Sequence, residues 1–134
     1  MRTRLIVIIS WMTVALLATG TALAASALPT RSSSAASVTV KATPRALDGS
    51  VWEFELVFDT HSQELKDDVE KTAVLSAASG ETQTPIKWQG DPPGGHHRKV
   101  VVQFKPVSPR PASIELRLTR PGEPKPRVFQ WALK

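Results

Sequence analysis

The sequence predicts an all-β fold: a small antiparallel β-sandwich of the immunoglobulin-like class with about seven strands. Three observations predict it. Short segments alternate apolar and polar residues with a period of two, the mark of half-buried strands. Turns rich in proline and glycine separate them, with 11 Pro and 7 Gly in 134 residues. No long segment carries the 3.6-residue period of an amphipathic helix. A small barrel is the alternative closure of the same strands.

The chain opens MRTRLIVIISWMTVALLATGTALAASA. Arg2 and Arg4 make a basic start, residues 5–17 an apolar run, and Ala22-Leu23-Ala24 an A-x-A cleavage site. The run is broken by Ser10 and Thr13 and is shorter than the roughly 20 residues that span a bilayer. Residues 1–24 therefore read as a signal peptide, with an uncleaved N-terminal anchor as the alternative. The expected product is exported, periplasmic or extracellular, without stable membrane insertion after cleavage.

Residues 25–36 are small and polar without periodicity, and read as a disordered leader. The domain is expected over 37–134, a length suited to one core and not two. VTVKAT is the first strand, ended by Pro44, and Asp48-Gly49 makes a turn. VWEFELVFD puts Trp52, Phe54, Leu56 and Phe58 on one face and Glu53 and Glu55 on the other. HSQELKDDVEK is too polar for a core strand and reads as a loop with a helical turn. TAVLSA and TPIKW are short strands, and WQGDPPGG is a long turn. RKVVVQF directs Val100, Val102 and Phe104 inward, and SIELRLT does the same with Ile114, Leu116 and Leu118. Between them Pro106, Pro109 and Pro111 keep KPVSPRP out of a central ladder. RVFQWAL closes the domain, with Phe129, Trp131 and Leu133 in register.

Composition excludes several chemistries. The chain has no cysteine, so disulfides, thiol nucleophiles and thiolate metal sites are ruled out. Both methionines, Met1 and Met12, lie in the expected signal peptide. The formal net charge is +5, and loss of the signal peptide removes Arg2 and Arg4. Residues 48–91 hold ten acids against three bases, and residues 92–134 nine bases against two acids. Neighbouring strands can pair these halves and neutralise them. The other reading is a basic face of Arg110, Arg117, Arg120, Lys125, Arg127 and Lys134 that meets anionic envelope polymers or lipid headgroups. Nucleic acid is not expected as a partner, because no aromatic-basic stacking motif is present.

The chain has three histidines, all in or beside turns: His61 in FDTHS, and His96 and His97 in DPPGGHHR. Imidazole is the commonest ligand for zinc and copper(II), and Asp59, Asp67, Asp68 and Asp91 offer carboxylates nearby. Adjacent residues of an extended strand point to opposite faces, so His96 and His97 share a metal only if Gly94 and Gly95 break the regularity. The two histidine turns are expected to meet at one end of the sandwich, with Asp59 and Arg98 orienting the rings.

Asp59-Thr60-His61-Ser62 after an aromatic strand and Gly94-Gly95-His96-His97-Arg98 before a valine-rich one resemble a set of uncharacterised secreted bacterial β-sandwich proteins. The likeness extends to a Pro-Gly turn and a closing Phe-x-Trp, and implies a fold and an exported location without an activity. Lys99 stands where that family usually has glycine, which alters the entry to the strand.

Ser62 beside His61 makes no triad, since adjacency supplies no nucleophile-base-orienter geometry. Glu64, Asp67 and Asp68 on a polar loop do not form a glycosidase pair. No phosphate loop or dinucleotide fingerprint occurs. The sequence therefore points to an exported, non-enzymatic binding module for a protein or envelope component, with a histidine cluster at one end. The alternative is a zinc- or copper(II)-binding protein using His61 with His96, His97 or both.

Overall fold

A computed structural model describes residues 28–133. The signal peptide assigned to residues 1–24 lies outside them. Among the described residues are nine strands and one short helix: β1 (Arg31–Ala35), β2 (Val38–Ala46), β3 (Trp52–Thr60), α1 (Val69–Thr72), β4 (Ala73–Ala77), β5 (Thr82–Gln83), β6 (Lys87–Gly90), β7 (His97–Phe104), β8 (Ser113–Leu118) and β9 (Arg127–Ala132). They form a β-sandwich of two antiparallel sheets, ordered β1-β2-β3-β7-β6 and β5-β4-β8-β9. No helix here is long and apolar enough to cross a membrane.

Period-two alternation sets the packing. Trp52, Phe54, Leu56 and Phe58 of β3, Val100, Val102 and Phe104 of β7, Ile114, Leu116 and Leu118 of β8, and Phe129 and Trp131 of β9 are all buried. These are the residues that strand parity assigns to the core. The sheets meet through aromatic rings: Phe54 of β3 lies 5.6 Å from Trp131 of β9 and meets Phe104 edge-on at 5.7 Å.

The strand count exceeds seven because two strands carry no apolar signal. Arg31–Ala35 falls within the expected disordered leader, yet pairs with β2 from Arg31 opposite Ala42 to Ala35 opposite Val38. Its serines contribute little to the core, so it is held by main-chain pairing with β2 and by Arg127, which donates to the carbonyls of Ser33 and Ala35. The other is β5, two residues paired with the end of β4. Pro44 does not end β2, which continues to Ala46 with a register shift after Pro44. Pro44 lies past the last β1–β2 pair, where a missing N–H costs no bond on that side.

The hairpin joining β1 to β2 turns on Ala36 and Ser37, with φ of 48° and 64°. Non-glycine residues enter this left-handed region at a cost of roughly 1–2 kcal/mol each. Four successive carbonyls of the turn are held by side chains. Arg127 Nη2 donates to Ala35 and Val38, Gln63 Nε2 to Ala36, and Thr60 Oγ1 to Ser37. The turn keeps its strained shape because its surroundings leave it no other.

Candidate functional site

The two histidine turns do meet at one end of the five-stranded sheet. The amide of Thr60 donates to the carbonyl of His96 at 3.0 Å, continuing the β3–β7 ladder beyond Asp59 opposite His97. Below it, Leu65 N donates to Gly95 O at 3.0 Å and Gly94 N to Leu65 O at 2.6 Å. Gly94 and Gly95 have φ of 119° and 70°, conformations that any side chain would strain. Leu65 is fully buried, so it anchors an otherwise polar loop beneath the histidines.

His97 and Asp59 face outward from neighbouring strands. Nδ1 of His97 lies 2.5 Å from Oδ1 of Asp59, with both side chains about half exposed. In a neutral ring the carboxylate selects the tautomer with its proton on Nδ1, leaving Nε2 as the free acceptor. Asp59 is thus in contact with the ring of His97. Across the same face Thr39 lies opposite Asp59, and its hydroxyl is 2.8 Å from that of Ser34. A hydroxyl, a carboxylate and an imidazole thus sit in register on adjacent strands.

His61 and His96 are exposed, and neither ring makes a hydrogen bond to a described residue. Among the described residues, no three His, Asp or Glu side chains are grouped so that they could hold a metal ion. The convergence is one of backbones: the turns touch while His61, His96 and His97 do not aim at a common point.

Arg98 does not orient a histidine. It follows His97 on β7 and points to the opposite face, where it is 1% exposed. Its Nε donates to the carbonyl of Asp91 at 3.1 Å and its Nη1 to that of Asp67 at 2.5 Å, and its guanidinium lies 5.5 Å from the Trp88 ring. Burial pulls its pKa below the ordinary value, outweighing the opposing pull of Asp67, Asp91 and Asp68.

Four further charges, Asp67, Arg120, Glu123 and Arg127, form a chain that sequence reading missed. Asp67 is fully buried and takes both nitrogens of one edge of Arg120, Nε at 2.9 Å and Nη2 at 3.1 Å. Arg120 Nη1 reaches Glu123 at 2.7 Å, and Glu123 in turn receives Nε and Nη2 of Arg127 at 2.6 and 3.1 Å. Arg127 continues to the carbonyls of Ser33, Ala35 and Val38. Bonds from Arg127 and then Arg120 hold Glu123 below the ordinary carboxylate range, against the effect of burial.

This chain also takes Arg120 and Arg127 out of the expected basic face. Arg120 and Arg127 are 4% exposed, Arg117 bonds Glu115, and Arg110 donates to the Leu47 carbonyl at 2.6 Å. Pairs between the acid-rich and base-rich halves include Glu55 with Lys99 across strands and Asp67 with Arg120. Comparison with family models, with curated proteins and with solved structures finds no match to this chain.

Proposed function

We propose that this protein is an exported, non-enzymatic interaction module whose recognition surface is the histidine end of the five-stranded sheet. The observation that carries the reading is the half-exposed Asp59–His97 pair, fixed at 2.5 Å on two central strands with Nε2 turned to solvent. A binding surface gains when its polar groups are held in place before the partner arrives, because less side-chain freedom is then lost. Exposed His61 and His96 flank that pair on turns tied by main-chain bonds, so they widen the same surface.

Connectivity supports an immunoglobulin-like assignment. Strands β2, β3, β7 and β6 follow the A, B, E, D order of one immunoglobulin sheet. Strands β4, β8 and β9 follow C, F and G of the other, with β5 as an added edge beside C. Domains of this class commonly place their contacts at the ends of the sandwich, where loops cluster. The basic start, apolar run and A-x-A site at the beginning of the chain support export.

A photo-crosslinking amino acid placed at His61, at His96, or at Arg117 on the outer face of the other sheet tests the proposal in the exporting cell. The expected result is one common adduct from positions 61 and 96, weakened by Asp59→Asn and missing from position 117. Adducts from 117 alone, or adducts from 61 and 96 indifferent to Asp59→Asn, would contradict it.

A further inference from the structure

We propose that Arg98 and Trp88 form a binding site for a carboxylate carried on a short apolar stem. The site lies on the inward side of β7, opposite the histidines, and stands independently of them. A guanidinium this deeply buried ordinarily has a carboxylate partner. Arg98 has none in direct contact: its two hydrogen bonds both end on main-chain carbonyls.

The neighbouring carboxylates are engaged elsewhere. Both oxygens of Asp67 are held by Arg120. Asp91 Oδ2 accepts the amide of Lys99 at 2.9 Å, and Asp68 lies 3.6 Å from Lys71 Nζ. Arg98 Nη2 makes no hydrogen bond to a described residue. Yet among those residues no fully buried side-chain nitrogen or oxygen lacks a partner, so Nη2 keeps access to solvent. That access runs through a depression of about 380 Å³ lined by Trp88, Pro93, Val69 and Arg98.

The chemistry of the walls selects the ligand. A carboxylate oxygen accepts a charge-assisted bond from Nη2 more strongly than water does. Asp68 and Glu70 also line the depression and repel a dianion such as phosphate more than a monoanion. The space exceeds that of a carboxylate alone, and Trp88 and Pro93 provide apolar surface for a stem. Such a group is offered by a free small organic acid or by the C-terminus of a polypeptide.

Nuclear magnetic resonance of the mature protein tests this through the indole N–H of Trp88 and the Nε–H of Arg98. The probes are isovalerate, N-acetylvaline, N-acetylvalinamide and inorganic phosphate, at pH 7 and constant ionic strength. Isovalerate and N-acetylvaline should shift both signals saturably, with half-saturation on the order of 10 mM or below. Arg98→Lys, which loses the planar fork, should weaken binding about tenfold or more. Independently of any effect of that variant on folding, exposed Lys66→Glu at the mouth should weaken binding severalfold, while Lys41→Glu on the outer face leaves it unchanged. Tighter binding of N-acetylvaline than of isovalerate points to a polypeptide end, and equal binding to a free acid. Equal shifts with N-acetylvalinamide or phosphate, shifts that do not saturate, or indifference to Lys66→Glu would overturn the site.

Discussion

Replacing Arg127 with alanine should destabilise the domain by about 3–5 kcal/mol, the loss typical of removing one member of a buried ion pair. The structure explains why the effect belongs at that level. Arg127 is 4% exposed, binds both oxygens of Glu123, and donates to the carbonyls of Ser33, Ala35 and Val38. Its removal leaves Glu123 with Arg120 alone and frees the strained Ala36–Ser37 turn on one side. A domain of this length is stable by roughly 5–15 kcal/mol, so the variant should unfold at a much lower urea concentration. Arg127→Lys, keeping the charge without the fork, should recover only part of the loss. Urea unfolding followed by tryptophan fluorescence measures both, and amide exchange over 31–42 should rise before the rest of the core. A loss below about 1 kcal/mol for Arg127→Ala, or exchange unchanged in that hairpin, would refute the view that this arginine fastens β1 to the sandwich.

Three further outcomes follow from the same contacts. Glu123 is held below its ordinary value, first by Arg127 and then by Arg120, so its ionised form stabilises the fold above the unfolded value near 4.5. That contribution is lost as pH falls through the lower folded value; Glu123→Gln should therefore flatten the stability profile below about pH 4.5, as read by urea midpoints across pH. Leu116→Ala, at a site with no exposed surface, should cost about 2–5 kcal/mol in the same assay, and a variant as stable as wild type would mean that β8 is turned over. Replacing Ala36-Ser37 with Asn-Gly should raise stability by roughly 0.5–2 kcal/mol in thermal unfolding, because those residues favour the positive φ values that both positions adopt.

The core was legible in the sequence because alternation leaves one reading for VWEFELVFD and SIELRLT, and each residue so assigned is buried. Parity also contained the signal for the buried charges. Arg98 shares the parity of Val100 and Phe104, Arg120 that of Leu116 and Leu118, and Arg127 that of Phe129 and Trp131. Reading Arg98 as orienting the histidines, and Arg120 and Arg127 as surface charge, put the preference of the residue type above the position in the alternating pattern, and position prevailed. Leu65 and Asp67 repeat the lesson in a loop, where a single alternation of two residues is too short to register as a pattern. Strand β1 was illegible for another reason: RSSSA carries no apolar face, and its place is set by main-chain bonds, by Arg127 some 90 residues away in sequence, and by its own Arg31, which donates to the Gln130 carbonyl. The histidine turns meet because each adjoins one of two paired strands, a pairing that parity does not specify, while ring directions depended on glycine φ values that sequence does not specify either.

The most direct test of the recognition surface is the tautomer of His97, measured from its imidazole nitrogen shifts above its titration range. The Asp59 carboxylate should hold the proton on Nδ1 and leave Nε2 bare, and Asp59→Asn should release the ring to a mixture. A predominantly Nε2-protonated ring in the wild-type protein, or the same tautomer ratio in the variant, would contradict a surface organised around the Asp59–His97 pair.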